Sequence, residues 1–276
     1  MRTTLLGQGD AVVAYDDGAD VAPVRSPRPF LVATSRGGAP VTDVGPDDHL
    51  HHLGLSAALP DVDGTSFWGG RTYVRGRGST LLDNHGAQRV VDRHRDGDRL
   101  TERIEWCARR GGVVLDERRS IVVRDAEGGR EIVWVSELEA RDGDVTFGSP
   151  QTNGRDGAFY GGLFWRTPFT SARLRSADGA GEAVAHGSRS PWLAVDGVAA
   201  SLVAATTATD MPWFVRATGY VGFGPAVAVD DRRILPAGQT LRLDLAVAIL
   251  DGAPSDPAAV AAGLIGALDP GVALSA

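Results

Sequence analysis

Residues 130–140, Arg-Glu-Ile-Val-Trp-Val-Ser-Glu-Leu-Glu-Ala, alternate between two faces and thereby decide the fold class of this 276-residue chain. Ile132, Trp134 and Leu138 fall on one face of an extended strand, whereas Glu137 and Glu139 fall on the other. This segment is the last of a predicted meander, with strands near 87–95, 99–108, 113–124 and 130–140. Short turns rich in glycine and aspartate separate the four strands. The pattern predicts an antiparallel sheet.

Turn chemistry repeats along the rest of the chain. The Asp-Gly pair suits tight turns because both residues tolerate positive φ, and it occurs eight times. Residues 239–250 alternate again, with Leu241 and Leu243 on one face and Arg242 and Asp244 on the other, which predicts a half-buried antiparallel strand. We predict an all-β fold, a large antiparallel β-sandwich that forms one domain over residues 1–276.

One short helix is expected near the C-terminus. Ser255 or Asp256 can cap it, and Pro257 suits its first turn. Residues 258–268 supply good helix formers, so the sandwich is predicted to end in this helix.

Composition excludes several classes of function. The chain has 28 basic and 35 acidic residues, a net charge of −7 and no basic stripe, so we expect no nucleic-acid partner. Every basic residue is arginine, and without lysine a Schiff base or a Walker-type phosphate loop is excluded. Cys107 is the only cysteine, so no disulfide forms within the chain. With no signal-peptide pattern and no long apolar run, we expect a cytoplasmic protein without a membrane partner or cofactor.

Three of the six histidines fall within four residues, in the segment Asp48-His49-Leu50-His51-His52. Imidazoles are costly to bury without partners, and their unperturbed pKa lies close to neutrality. The cluster therefore predicts proton transfer, metal binding or hydrogen bonding to a polar ligand. We expect His49 and His52 to be the acid–base or orienting pair, supported by His51 and Asp48. A metal held by His49 and His51, with a third ligand from elsewhere, is the alternative.

Four further residues join the predicted site. Trp68 lies in a glycine-rich loop and can offer a flat apolar platform to a sugar ring. Glu105, on the predicted strand 99–108, is the preferred carboxylate. Arg166 and Arg216 each follow aromatic residues and can clamp a carboxylate or polarise a carbonyl. The sequence has no motif typical of serine hydrolases, dinucleotide enzymes or zinc proteases.

Several of these motifs, in order, resemble segments of the bacterial PmoA-like family, a domain of unknown function. Residues 48–55 resemble its D-H-P-H-H-R-G-L segment, 67–69 its F-W-G, and 102–106 its E-x-x-E-W strand. The segment Trp213-Phe214-Val215-Arg216, followed by Tyr220, is similar to its W-H-V-R and Y-G. Phe214 stands where that family has histidine.

The resemblance implies a galactose-mutarotase-like supersandwich and a carbohydrate-active protein with a functional link to sugar dehydrogenases. It also adds Trp213 to the substrate-binding residues. Methane oxygenase activity is not expected, because that enzyme is an integral membrane protein. We therefore expect acid–base chemistry on a small-molecule sugar or oxidised sugar, of epimerase, lyase or hydrolase type. The alternative is a non-catalytic sugar-binding protein.

Overall fold

The computed structural model describes residues 1–269, and nearly all of its regular structure is β-strand. The first eleven strands are β1 (Arg2–Gln8), β2 (Ala11–Asp16), β3 (Phe30–Ala33), β4 (Leu55–Ala58), β5 (Asp61–Val62), β6 (Thr72–Val74), β7 (Gly78–Thr80), β8 (Ala87–Asp96), β9 (Arg99–Cys107), β10 (Val113–Ala126) and β11 (Gly129–Ala140). The next ten are β12 (Val145–Gly148), β13 (Gly162–Arg166), β14 (Arg173–Ser176), β15 (Gly179–Ala180), β16 (Trp192–Asp196), β17 (Ser201–Ala205), β18 (Trp213–Arg216), β19 (Gly222–Pro225), β20 (Arg233–Leu235) and β21 (Thr240–Leu250). The helical segments are a 3-10 turn (Pro23–Arg25), α1 (Glu182–Ala185) and α2 (Pro257–Ala267).

Two large antiparallel sheets form the body of the molecule. The seven-stranded sheet has the order β1-β2-β3-β4-β13-β19-β18, and the nine-stranded sheet has the order β15-β14-β16-β17-β21-β11-β10-β9-β8. Three further strands pair as β20-β12-β5, and β6 pairs with β7. One hydrophobic cluster includes inward-facing residues of both large sheets, among them Trp165, Trp213, Trp134 and Ile249. The predicted all-β sandwich is confirmed.

The predicted meander is present as β8 to β11, in which each strand pairs with the next along the chain. On β11, the side chains of Ile132 and Trp134 are fully buried in the core between the sheets. Val133 and Val135 point to the opposite face, where they belong to a second apolar cluster that includes Leu264 of α2. Strand β11 therefore has apolar side chains buried on both of its faces.

Helix α2 begins and ends close to the predicted positions. The side chain of Asp256 accepts a hydrogen bond from the backbone N–H of Ala259, and Pro257 occupies the first turn. At 11 residues, α2 is the longest helix in residues 1–269, and none there is long and apolar enough to cross a membrane.

The expectation of a half-buried strand at residues 239–250 is wrong. Strand β21 lies between β17 and β11, and α2 packs over its outer face. Asp244 on this face is only 1% exposed, and its carboxylate accepts hydrogen bonds from Thr206, Thr207 and Arg242. The alternation of leucine with charged residues could not reveal that these partners and a helix would cover the polar side.

A charged cluster lies between the two large sheets. The side chains of Glu102 on β9 and of Glu117 and Arg119 on β10 are fully buried. Arg119 Nε donates to Glu117 Oε1 at 2.7 Å, and its Nη1 lies 3.6 Å from Glu102 Oε2. The hydroxyl of Tyr15 on β2 donates to Glu102 from the facing sheet, and Arg93 Nε donates to the same carboxylate at 2.9 Å. Two arginines and two glutamates thus balance each other.

Candidate functional site

An open pocket of about 730 Å³ lies on the outer face of the seven-stranded sheet, where most of the predicted site residues meet. Side chains alternate along its strands. On β13, Trp165 points into the core and Arg166 points outward to the ion pair with Asp48. On β18, Trp213 points into the core, while Phe214 and Arg216 point outward.

The structure does not bring Trp213 to the pocket. Its side chain is fully buried between the sheets, and its indole N–H donates to the carbonyl of Ser190 at 2.8 Å. Trp213 and Arg216 are three positions apart on one strand, so they face opposite sides of the sheet. Arg216 therefore lines the pocket, and we assign Trp213 to the core.

The histidine cluster is a closed loop between β3 and β4. The backbone N–H of His49 donates to Pro46, and that of His52 donates to His49, both at 2.9 Å, so two tight turns follow each other. An antiparallel bridge between Val44 and Leu53 holds the two ends of the loop together. The loop thereby presents its histidines at a defined place beside the end of β13.

The three imidazole rings converge. The rings of His49 and His52 are stacked, with centroids 4.6 Å apart and planes inclined by 12°. The ring of His51 meets that of His52 edge-on at 4.8 Å. His52 is only 3% exposed and also contacts the rings of Trp68 and Phe164.

Burial keeps two of these imidazoles neutral. Loss of hydration, reinforced by the Arg28 guanidinium, lowers the pKa of His51 to about 3. Loss of hydration also lowers the pKa of His52 well below its ordinary value. Gly70 packs against the first of these rings, since a Cβ at this position would lie 2.7 Å from His51 Nδ1. With φ at +71°, this position also suits glycine by conformation.

His49 is the most accessible of the three and is joined to a carboxylate. Its Nδ1 lies 2.8 Å from Asp48 Oδ2, and because an ionised carboxylate only accepts hydrogen bonds, Nδ1 carries the proton. Arg166 Nη2 donates to both oxygens of Asp48, at 3.0 and 3.1 Å. Burial opposes ionisation of Asp48, but the hydrogen bonds from His49 and Arg166 outweigh it and lower the pKa of this carboxyl. In a neutral His49 ring, Nε2 is then left to accept a proton.

A second arginine organises the backbone beneath the loop. Arg28 is 2% exposed and donates to the carbonyls of His51 at 2.8 Å and Trp68 at 3.2 Å. It donates to Arg25 and Ser26 as well, so one guanidinium ties three loops together. Burial lowers the pKa of Arg28 to about 9, which leaves it charged at neutral pH.

Aromatic rings form the remaining wall of the pocket. Trp68 reaches it but is only 5% exposed, because the ring of Tyr160 lies 4.5 Å away and His52 and Phe164 pack against it. Tyr220 lies beside His49 at 5.2 Å, and the Arg166 guanidinium sits 4.6 Å from its ring centroid. Burial raises the pKa of Tyr160 to about 12 and also raises that of Tyr220, so both hydroxyls remain protonated.

Glu105 lies away from the pocket. It is on β9 of the nine-stranded sheet, on the face opposite Glu102, which points into the core. Its carboxylate pairs with Arg89 and with Arg141, the latter at 2.9 Å, and these two partners lower its pKa. Both sheets of the sandwich therefore stand between Glu105 and the histidines.

Sequence reasoning missed several pocket residues. Arg25, Arg71 and Arg155 line the pocket together with Tyr160. They come from separate loops and belong to no motif, so among 28 arginines nothing marked them. Tyr220 also lines the pocket, and its place there does not follow from the motif in which it lies.

The other histidines do not join the cluster. His85 Nε2 bonds to the carbonyl of Gly70 at 2.7 Å, His94 is exposed on β8, and His186 bonds to Arg216. Among residues 1–269, no group of three or more His, Cys, Asp or Glu side chains is arranged to hold a metal ion.

Fold and site together define an antiparallel β-sandwich protein with an open pocket lined by histidine and arginine. The chain belongs to the family of unknown function DUF6807, whose model matches residues 2–264. The PmoA-like resemblance stays a prediction, because the matching model does not carry that name. No curated protein matches the chain significantly.

The chain also has similarity to solved structures. One is a candidate aldose 1-epimerase from Escherichia coli K12, at 12% identity and a TM-score of 0.47, covering 90% of this chain and 99% of its own. Another is a galactose mutarotase-like protein from Lactobacillus casei ATCC 334, at 11% identity and a TM-score of 0.42, covering 90% and 100%. Similarity at this level assigns neither an activity nor a substrate to this chain.

Proposed function

We propose that this protein is an acid–base enzyme that acts on a sugar or an oxidised sugar, with His49 as the group that transfers the proton. The observation that carries the proposal is the Asp48–His49 pair at the wall of the pocket, held from behind by Arg166. A carboxylate that fixes one ring nitrogen as donor leaves the other free to act as a base.

The neighbouring histidines have supporting roles in this proposal. His52 is buried and its pKa is lowered, so it positions the ring of His49 by stacking and does not itself carry protons. His51 also lines the pocket in its neutral form, and a neutral imidazole can both donate to and accept from sugar hydroxyls.

Acid–base chemistry on a sugar also benefits from a group that donates a hydrogen bond to a substrate oxygen. Tyr220 lines the same pocket, and its raised pKa keeps its hydroxyl protonated. We propose it as a hydrogen-bond donor to a substrate oxygen. No role in the reaction is proposed for Glu105 or Trp213, because neither lines the pocket.

The test is an NMR assay of sugars and sugar acids in deuterated water. It follows interconversion of anomers, replacement of carbon-bound hydrogen by deuterium, and cleavage or elimination products. We expect one of these reactions to be accelerated, and His49→Ala to lower its rate by about 10²–10⁴-fold. The matched control is His94→Ala, at an exposed position of β8, which retains the rate.

An equal rate in folded His49→Ala would refute the assignment. A wild-type protein whose melting temperature rises with sugar, but which converts nothing, would identify the non-catalytic sugar-binding alternative. Circular dichroism of both variants checks that the fold is retained.

A further inference from the structure

The pocket is cationic although the protein is acidic. The chain has a net charge of −7, yet four arginines and only two aspartates line the pocket. One of the aspartates, Asp48, is already paired with Arg166. An excess of positive charge therefore faces the space in which a ligand would lie.

Three of the lining arginines are not committed to acidic partners. Arg25, Arg71 and Arg155 form no ion pair with any acidic side chain in residues 1–269. Arg71 donates one hydrogen bond, to the carbonyl of Ser79 at 3.2 Å, and the charge of Arg155 partly offsets the rise that burial causes in the pKa of Tyr160. Each guanidinium has five N–H groups, so most of their donors remain available.

The fourth lining arginine is different. Arg216 donates to the carbonyls of Val215 at 2.8 Å and Gly157 at 2.7 Å, and lies 3.8 Å from Glu182. Its hydrogen bonds fix the local backbone, so it is the least available to a ligand.

We propose that the pocket binds an anionic substrate, a sugar-sized molecule whose carboxylate or phosphate is held by Arg25, Arg71 and Arg155. The sugar part rests on the proposed function above, whereas the anion part rests on the arginines alone. Arginine matches these oxyanions well, because its planar fork donates two parallel charge-assisted hydrogen bonds. An anion held at the arginines would leave the rest of the molecule to extend toward His49 in the same pocket.

The test compares neutral and charged forms of one sugar by isothermal titration calorimetry at low salt. The probes are glucose, glucuronate, glucose 6-phosphate and inorganic phosphate. We expect at least one charged sugar to bind about tenfold more tightly than glucose, an advantage equal to one charge-assisted hydrogen bond. Comparing glucuronate with glucose 6-phosphate then distinguishes a carboxylate from a phosphate.

A double variant and a control variant test whether the arginines cause the tighter binding of the charged sugar. Arg71→Gln combined with Arg155→Gln removes the preference for the charged sugar. Arg110→Gln, at an exposed arginine in the turn between β9 and β10, retains it as the matched control. Added salt also reduces the preference, because the Debye length falls to about 3 Å at 1 M.

The outcomes separate this inference from the proposed function. Glucose binding as tightly as both charged sugars, a preference that survives the double variant, or no binding of any probe overturns the inference. Inorganic phosphate binding as tightly as glucose 6-phosphate, and lost in the double variant, supports the arginine site but contradicts the sugar assignment. If a charged sugar binds but is not converted, or is converted equally well by His49→Ala, the inference is supported and the acid–base function is contradicted.

Discussion

Between the two sheets, Arg119 is fully buried against Glu117 and lies 3.6 Å from Glu102, whereas at the pocket Arg71 and Arg155 face no acidic partner among residues 1–269. In the core no water can solvate a charge, so the chain itself must supply an opposite charge or enough hydrogen-bond acceptors. At the open pocket, water solvates the guanidinium groups until a ligand displaces it. Arg119 thus has a structural role in the core, whereas Arg71 and Arg155 at the pocket keep donors that a ligand can use.

The strongest test of this contrast is Arg119→Met. It leaves Glu117 buried without a cation and Glu102 with Arg93 alone, and breaking a buried pair in this way typically costs about 3–5 kcal/mol. Unfolding in urea should show a loss of stability of that size. A loss below about 1 kcal/mol would mean that the cluster is not the electrostatic unit described here.

The control for that variant is the next residue on the same strand. Arg118 points to the opposite face, and its exposed side chain lies 3.4 Å from Glu137. Exposed ion pairs contribute about 0–1 kcal/mol, so Arg118→Met should leave the urea midpoint nearly unchanged.

A smaller loss of stability is expected at the pocket histidines when the pH is lowered. Burial lowers the pKa of His52, so below its ordinary value of 6.5 the unfolded chain binds a proton that the folded chain does not. Stability therefore falls as the pH drops from about 6.5 toward 4, by up to about 1.4 kcal/mol per pH unit for this residue. His52→Phe keeps an aromatic ring but not the proton, so its stability should fall less steeply over that range.

Urea unfolding of both proteins at several pH values measures the difference. Equal slopes for the wild type and His52→Phe would show that His52 titrates alike in the folded and unfolded chains. Its burial would then impose no penalty on protonation.

The smallest effect is expected for Glu105→Gln. Its carboxylate pairs with Arg89 and Arg141 on the outer face of the nine-stranded sheet, away from the pocket. The NMR assay should give the wild-type rate. A substantial decrease would place Glu105 in the reaction and would contradict the position given to it here.

Much of the fold could be predicted from local pattern. Alternation in residues 130–140 and glycine-rich turns located the meander, and Asp256 with Pro257 marked the start of α2. The sequence pattern predicts an exposed polar face for β21, because the pattern describes the strand alone and not what packs against it. That Asp244 is covered depends on where α2 packs, which is long-range information.

The site was partly predictable for the same reason. Asp48, His49 and Arg166 were each named as candidates, because a crowded motif and an arginine at a strand end are local signals, and the structure brings the three together. The alternation of side chains along a strand is enough to place Trp213 and Arg216 on opposite faces of the sheet. Alternation does not show which face of β9 meets the core, so it could not place Glu105.

The walls of the pocket come from distant parts of the chain, from Arg25 in the 3-10 turn to Tyr220 between β18 and β19. In the folded protein these segments meet where β13 pairs with β4 and with β19. A chain in which these strands have not paired has no pocket, so a ligand binds the folded chain but not a transition state that lacks this pairing. A ligand that fits it would slow unfolding and leave the folding rate unchanged, so its protection of the protein is kinetic as well as thermodynamic.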